Sequence, residues 1–379
     1  MAKPQRVPGI LALVALGVTA CIALRALSRY TSLVAFQSSS KTTQRTNVLI
    51  IAHGRTGSSF LGQIFNSHPE VFYIYEPLIT FQLTSMRTSS LYEYAAMRLL
   101  HDIFKCRFKQ QTEFLSFMSQ FQLNRFSSRA LTTPYCKNIT NARNNRTFIH
   151  CKDLDPLITS LSCALHGHTV VKVLAHRLPS LEVDRLEPLL SSGGGILKII
   201  QLMRDPRAVI ASMDRVGWSL NKSAINTAAT NFPLFTTLVQ KFCSSTIQSL
   251  RFALSAEGRL PDRYRLLRYE DLVSSPLNAS QELFDFAGIL MTDQVRKYLV
   301  NDTNQSRDRG YTHEYGTLRN NASNLVDAWR TLLSAEAVRA VESHCWPVLE
   351  ILGYTPVFSR ALLDRWVKQA WQERQWRSR

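Results

Sequence analysis

The sequence predicts an α/β fold, a P-loop-like parallel sheet flanked by helices. Short runs of apolar and β-branched residues alternate with segments of helical periodicity, which is typical of a parallel sheet covered on both faces. A hydrophobic content of 45% is enough for a large core and argues against general disorder. The predicted strands are Val48–Ala52, Val71–Tyr75, Thr169–Leu174, Ile196–Leu202 and Tyr264–Arg268.

Two helical segments have clear ends in the sequence, and a third does not. Ser275–Gly288 starts with a Ser-Pro pair suited to the N-cap and first turn, and it ends at a glycine. Ser334–Gly353 likewise starts at a serine suited to the N-cap and ends at a glycine, and its apolar stripe includes Cys345, which we expect to face inward as a bridge or a core residue. Leu91–Phe126 has helical periodicity without such ends, and we predict it as helical.

The first residues of the chain predict a membrane anchor. Lys3 and Arg6 precede Val7–Leu24, which carries no charge and is about as long as a minimal transmembrane helix. We interpret it as an uncleaved signal-anchor; the alternative is a cleaved signal peptide with small residues near Ala20. The predicted parts are a cytoplasmic tail at residues 1–6, the anchor at 7–29, a short stem at 30–46 and a single lumenal domain at 47–379.

The chain after the anchor has the composition of a secretory protein. It contains seven N-x-[ST] sequons, beginning at Asn138, and six cysteines in addition to Cys21. An even number of cysteines is compatible with disulfides in an oxidising compartment, but six of them allow too many pairings to assign the connectivity. The polar segment Thr132–Arg146 carries two sequons next to cysteines, so we expect an exposed, disulfide-tethered excursion.

The charge of the chain favours an anionic partner. The net charge is +17 and the isoelectric point is near 9.8. Nucleic acid, anionic lipid and acidic polymers all fit such a surface. No nucleic-acid-binding module is recognisable, so we predict that nucleic acid is not a partner. Cysteine and histidine residues lack the spacing of a zinc site, and we predict no metal.

The turn after the first strand has the features of a phosphate-binding loop. Gly54 and Gly57 allow close approach of the backbone to an anion, and Arg55 adds a charged donor. The following helix would direct its N-terminal N–H groups and its dipole at the same point. The loop is not a Walker A motif, because it is shorter and has arginine where lysine is required. A turn that merely needs glycine is the alternative.

A second segment with the same logic follows the Ile196–Leu202 strand. Asp205 suits an N-cap, Pro206 suits the first helical position, and Arg204 would stand at the carboxyl end of a core strand. Ser212 lies about two helical turns further on. Two anion sites at one sheet edge would suit a nucleotide phosphorylated at two separated positions. A solvated helix start and a surface hydroxyl are the alternatives.

These two motifs resemble the cofactor motifs of Golgi carbohydrate sulfotransferases, specifically the galactose/N-acetylgalactosamine/N-acetylglucosamine 6-O-sulfotransferase family. The motifs read GRTGSSF at Gly54–Phe60 and RDPRAVIAS at Arg204–Ser212. His53-Gly54 departs from the family, which more often has Ser or Thr before the loop arginine. Further matches, in the same order, are Val71–Pro77, Arg268–Leu272, Tyr315–Asn320 and Trp329-Arg330.

The resemblance implies a sulfate donor and the residues that bind it. The donor of the family is 3′-phosphoadenosine 5′-phosphosulfate, and Arg204 and Ser212 would be the main contacts of its 3′-phosphate. The first motif would hold the 5′-phosphosulfate and the second the 3′-phosphate, through Gly54, Arg55, Thr56, Gly57, Ser58, Ser59 and Phe60, and through Arg204, Asp205, Pro206, Arg207, Ala208, Val209, Ile210, Ala211 and Ser212.

Sulfuryl transfer needs positioning, stabilisation of the leaving phosphate and a base for the acceptor hydroxyl. We assign charge stabilisation to Arg55 and the Gly57–Ser59 amides. Glu76, at the end of the second strand, is the first candidate base, and its alternative is a structural carboxylate paired with an arginine. His53 is the second candidate, or else a turn residue. Lys172 could reach an anion or form a structural ion pair.

The predicted acceptor is an anionic or neutral glycan, and the predicted location is the Golgi membrane, as a single-pass type II protein with a lumenal catalytic domain. The sequence does not indicate the oligomeric state. Two rivals are a lumenal ATP-using P-loop enzyme and a non-enzymatic lumenal glycan-binding membrane protein. The first requires a loop lysine that is absent, and the second predicts loss of Arg55 or Arg204, which are both present.

Overall fold

Five parallel strands form the central sheet of the computed structural model. The structure describes residues 45–81, 91–133, 135–140, 147–191, 195–217, 226–304 and 326–359. The five predicted strands are confirmed, with ends within two residues of the prediction. The strands are β1 Thr46–Ala52, β2 Val71–Tyr75, β3 Cys136–Thr140, β4 Thr147–Cys151, β5 His168–Leu174, β6 Ile196–Met203 and β7 Tyr264–Arg268. The spatial order in the central sheet is β2-β5-β1-β6-β7.

Helices cover both faces of the sheet, as continuous apolar strands require. They are α1 Ser58–Asn66, α2 Tyr92–Phe104, α3 Thr112–Gln120, α4 Gln122–Phe126, α5 Arg129–Thr132, α6 Pro156–Leu165, α7 Val183–Leu190, α8 Pro206–Val216, α9 Thr227–Thr230, α10 Phe232–Arg259, α11 Tyr269–Ser274, α12 Pro276–Ala287, α13 Asp293–Asn304, α14 Trp329–Leu332 and α15 Ala335–Leu352. Short 3₁₀ turns cover Pro77–Phe81, Phe108–Gln110 and Ala175–Arg177.

Side chains of β1 alternate between two cores because successive residues of a strand point to opposite faces. Val48 and Ile50 pack in a cluster with α1, α12 and α13. Leu49 and Ile51 pack in a second cluster with α2, α3, α7 and α10. The central strand is therefore buried on both sides, which fixes the position of the loop that follows it.

The helix ends read from the sequence are confirmed where the capping residues were specific. The Ser334 side chain accepts a hydrogen bond from the N–H of Ala337, and α15 ends at Gly353 with φ 73°. Gly288 likewise ends α12 with φ 68°. These left-handed positions favour glycine because a Cβ is strained there.

The predicted helicity of Leu91–Phe126 is confirmed, but the segment is not a single helix. The segment divides into α2, α3, α4 and an intervening 3₁₀ turn. Cys106 has a φ of 55° just after α2, and such a left-handed residue ends a helix. The same cysteine is bonded to Cys163, so the break anchors the segment to α6.

Three disulfides supply the connectivity that the sequence left open. Cys136–Cys151 ties the ends of the antiparallel β3–β4 pair, which agrees with the disulfide-tethered excursion predicted for Thr132–Arg146. Cys243–Cys345 joins α10 to α15, so the inward-facing Cys345 is a bridge. Cys106–Cys163 is the third.

Several predictions fall outside the described residues. Contacts divide the chain into residues 1–44 and 45–379, and the first unit holds the predicted tail and anchor with most of the stem. The matching segment Tyr315–Asn320 also lies outside. Among the helices that the structure does describe, none is both long and apolar enough to cross a membrane.

The carboxyl ends of the parallel strands meet at one edge of the sheet. Ala52 pairs in register with Leu174 on one side and with Leu202 on the other. Met203 pairs with Arg268, and Tyr75 pairs with Lys172. The segments that follow these strands therefore converge, and ligands of open α/β sheets bind at this edge.

Candidate active site

The loop after β1 has an unusual backbone conformation, and its residue types account for it. Arg55 has a φ of 66° and Gly57 a φ of 89°. The Thr56 hydroxyl donates to the His53 carbonyl over 2.8 Å and closes the turn. A Cβ on residue 57 would lie 2.3 Å from two ring carbons of Tyr269, so only glycine fits. Helix α1 begins at Ser58; the N–H groups of Phe60 and Leu61 donate to the Gly57 carbonyl, while those of Ser58 and Ser59 lie in the first turn, where helix N–H groups can bind an anion.

The loop after β6 starts α8 as the sequence predicts. The Asp205 side chain accepts from the N–H of Arg207 over 2.9 Å, and Pro206 is the first helical residue. The N–H of Asp205 donates to Glu270 at 3.1 Å, and the other carboxylate oxygen of Glu270 accepts from the Tyr354 hydroxyl at 2.7 Å. Glu270 therefore holds the loop after β6 in place.

The two loops contact each other directly. Arg204 Nη1 donates to the Arg55 carbonyl at 3.1 Å, and Arg55 Nε donates to the Ser212 hydroxyl at 3.0 Å. The Arg204 guanidinium also lies over the Tyr269 ring, 4.4 Å from its centroid. Two arginines and a helix N-terminus therefore lie next to each other at the sheet edge, where they can bind the two separated phosphates of one ligand.

Ser58, Ser59 and Phe60 begin α1, at the loop end of the helix. Ser59 lies toward β2, with its hydroxyl 3.3 Å from the Tyr75 hydroxyl. Four further residues of the second motif are apolar and buried in α8 and offer no polar side chain to a ligand: Ala208, Val209, Ile210 and Ala211. Ala208, Ile210 and Ala211 pack in a cluster with α10 and α15.

Arg207 is paired with carboxylates of the protein, and its role as a phosphate contact stays a prediction. Its guanidinium pairs with Asp205 at 2.7 Å and with Glu342 at 2.6 Å, and it also donates to the Thr355 carbonyl at 3.0 Å. The side chain is buried and stacks 4.2 Å from the Trp329 ring centroid. Two carboxylates neutralise its charge, so Arg207 joins α8 to α15 instead of facing the loop edge. Its tertiary partner Glu342 was not recognisable from the local motif.

Glu76 is held between two cations. Its carboxylate binds Lys172 through one oxygen and Arg177 through the other, and the side chain is 6% exposed. Burial alone raises the pKa of a carboxyl group, but the charges and hydrogen bonds of Lys172 and Arg177 outweigh it and lower the pKa of Glu76. These contacts favour the structural alternative for Glu76 and for Lys172, while the assignment of Glu76 as the base stays a prediction.

His53 lies inside the protein, below the loop. Its Nε2 is 2.7 Å from the Ser249 hydroxyl of α10, and its ring meets Phe242 edge-on at 5.7 Å. Burial, followed by the charge of His176, lowers the pKa of His53 to about 4, so the imidazole is neutral near pH 7. Its bond to Ser249 favours the turn-residue alternative, and its role as a second candidate base also stays a prediction.

Two residues of the site were not singled out from the sequence. Tyr269 packs against Gly57 and supports Arg204; in the sequence it appears only within the matching segment Arg268–Leu272, directly after β7. Arg177 is the second cation on Glu76, three residues after β5 ends at Leu174. Both stand at the carboxyl edge of the sheet. Among the described residues, no group of three or more His, Cys, Asp or Glu could hold a metal ion.

Comparison with known proteins relates this site to a family of transferases. A family model described as the sulfotransferase domain matches residues 191–353, which include the second loop. Carbohydrate sulfotransferase 1 of Danio rerio is 31% identical over 338 residues, covering 83% of this chain and 79% of the relative. Carbohydrate sulfotransferase 6 of Homo sapiens is 32% identical over 329 residues, covering 83% and 82%.

A solved structure of retinol dehydratase in a complex with retinol and PAP is a more distant likeness. It has a TM-score of 0.42 and 18% sequence identity, and the alignment covers 81% of this chain and 82% of that one.

Proposed function

The chain belongs to the carbohydrate sulfotransferase family, and we propose that it transfers the sulfuryl group of 3′-phosphoadenosine 5′-phosphosulfate to a hydroxyl of a glycan. The observation that carries the donor assignment is the contact between the two loops. Arg204 donates to the Arg55 carbonyl, and Arg55 donates to Ser212. This arrangement supports one nucleotide bridging both motifs, with its 5′-phosphosulfate at residues 54–60 and its 3′-phosphate at Arg204 and Ser212.

The chain's own residues act mainly by position and charge. In the transfer, the acceptor oxygen forms a bond to sulfur while the bond from sulfur to the 5′-phosphate oxygen breaks. The acceptor hydroxyl gives its proton to a base, for which Glu76 is the first candidate and His53 the second. Arg55 and the N–H groups at the start of α1 stabilise the charge that grows on the leaving phosphate. The in-line geometry follows the requirements of phosphoryl transfer.

The finer assignments concern the acceptor and the location. We propose the 6-hydroxyl of galactose, N-acetylgalactosamine or N-acetylglucosamine, within a keratan-like or chondroitin-like chain or an N- or O-glycan. The proposed location is the Golgi membrane, with the catalytic domain in the lumen. The relatives' names support a carbohydrate acceptor. A net charge of +17 would attract anionic glycans, and the sequons at Asn138 and Asn278 are exposed.

The two rival functions have less support. An ATP-using P-loop enzyme would need a lysine in the loop, where this chain has Arg55. A glycan-binding protein without activity would have no use for Arg55 and Arg204, which contact each other at the sheet edge.

A transfer assay with the full-length chain and radiolabelled donor, against a panel of glycans, tests the proposal. We expect transfer that does not depend on added ATP. Arg55→Ala should lower the rate by about 100-fold or more, the usual effect of losing one charge-stabilising donor. Arg215→Ala, at an exposed position of α8, is the matched control and should keep the rate. No transfer to any glycan, together with no binding of adenosine 3′,5′-bisphosphate, would exclude the function.

A further inference from the structure

A cleft of about 600 Å³ lies between the segment that follows β5 and one face of α10. Residues between Ala175 and Asp184 line one side, and residues between Ser245 and Arg259 line the other. No donor motif contributes to it.

The cleft begins beside the candidate active site. Its first residues, Ala175 and His176, follow β5, which pairs in register with β1 up to Ala52. His53 follows β1 and is hydrogen-bonded to Ser249, the neighbour of the lining residue Gln248. The cleft therefore opens at the same sheet edge as the loop that carries Arg55.

The lining combines apolar, hydrogen-bonding and charged surface. Leu178, Val183 and Phe252 are buried apolar residues, while Gln248 and Ser255 are exposed polar residues of α10. Sugar rings have the same two characters, because their C–H groups are apolar and their hydroxyls form hydrogen bonds. The lining also holds two carboxylates, Glu182 and Asp184, and two guanidinium groups, Arg251 and Arg259, and an ion pair between Arg259 and Asp184 joins the two sides. A lining that mixes these characters suits a stretch of glycan better than a purely apolar ligand.

The face of α10 that lines the cleft is long. Ser245, Gln248, Phe252, Ser255 and Arg259 recur at intervals of three or four residues, which places them on one side of the helix. Fourteen helical steps from Ser245 to Arg259 extend about 21 Å. Several sugar units of a linear chain could lie along this face.

We propose that this cleft is an extended acceptor subsite, which binds the sugar units beside the one that is sulfated. The preferred substrate is then an oligosaccharide chain rather than a single terminal sugar. This inference rests on the proposed transfer of sulfate to a glycan. It assigns a binding role to a surface that is separate from the donor loops.

Steady-state kinetics with acceptors of two lengths test the subsite. The probes are disaccharides and hexasaccharides of the galactose–N-acetylglucosamine and N-acetylgalactosamine–glucuronate backbones. Ser255→Trp puts a bulky side chain into the cleft from an exposed helix position. We expect it to raise KM for the hexasaccharide about tenfold, with KM and kcat for the disaccharide unchanged. Leu254→Trp, at a 49% exposed position outside the lining, should change neither.

An unchanged KM for the hexasaccharide in Ser255→Trp would overturn the subsite, as would an equal rise for both lengths. If the unmodified chain transfers sulfate to none of these acceptors, the proposed function fails and calorimetry still decides the subsite. Binding of the hexasaccharide should then be about tenfold weaker in Ser255→Trp than in Leu254→Trp, and equal affinities would reject it.

Discussion

Glu76 has a φ of 48° and follows β2 directly, so a residue at a strained backbone position carries the most heavily paired carboxylate of the site. The sequence identified Glu76 as notable because it stands at a strand end. It could not identify the partners, because Lys172 and Arg177 lie about a hundred residues away and are brought in by the β2–β5 pairing. Side-chain pairing at this scale is decided by tertiary contacts.

Glu76→Gln should destabilise the protein more than it impairs the chemistry of a correctly folded molecule. The change leaves two buried cations without their shared anion, which typically costs about 3–5 kcal/mol. Chemical denaturation measures the loss. Glu70→Gln is the control, because Glu70 is exposed and lies directly before β2, at the opposite end of the strand from Glu76. It should change the unfolding free energy little.

The pH dependence of the unfolding free energy gives a second measure of the ion pairs that Glu76 forms with Lys172 and Arg177. The pKa of Glu76 is lower in the folded than in the unfolded chain, so its contribution to stability is present above the unfolded pKa and is lost as pH falls through the folded pKa. The difference between the unmodified chain and Glu76→Gln should therefore shrink in acid. Normal stability with abolished turnover and intact donor binding would instead identify Glu76 as the base.

At the scale of elements, the strand–loop–helix unit Thr46–Asn66 was predictable because each part has a local cause. A buried parallel strand is continuously apolar, and glycines mark the turn that follows it. The division of residues 91–126 was not predictable from periodicity, since the break depends on the left-handed Cys106 and its bridge to Cys163. The β3–β4 pair was missed because its segment is polar and short.

Gly57→Ala should distort the backbone of the donor loop, residues 54–60. Alanine at φ 89° is strained by about 1–3 kcal/mol, and its Cβ would displace Tyr269, on which Arg204 stacks. We expect a loss of stability in this range and roughly tenfold weaker binding of adenosine 3′,5′-bisphosphate.

Gly258→Ala is the matched control, because nothing lies within 4 Å of the added Cβ in this exposed turn of α10. It should stabilise the helix by about 0.5–1 kcal/mol and leave nucleotide binding unchanged. Equal nucleotide affinity in the two glycine variants would contradict the packing role of Gly57.

For the whole molecule, the family predicted from the two motifs is confirmed by relatives that match 83% of the chain. The motifs were readable because each follows a core strand, and the parallel order β5-β1-β6 brings the strand ends together. The direct bond between Arg204 and the Arg55 carbonyl was not readable, because the two residues are 149 positions apart. Likewise, Arg207 belongs to the motif but serves the contact between α8 and α15.

The central claim is that both loops bind one nucleotide, with Arg204 on its 3′-phosphate. Calorimetry with adenosine 3′,5′-bisphosphate and adenosine 5′-monophosphate tests it most directly, because the two ligands differ only in that phosphate. The unmodified chain should prefer the bisphosphate by at least about tenfold. Arg204→Ala should abolish this preference. Arg55→Ala should weaken the binding of both nucleotides, and Arg215→Ala should leave both affinities unchanged. Equal affinity for the two nucleotides in the unmodified chain, or an intact preference in Arg204→Ala, would contradict the account.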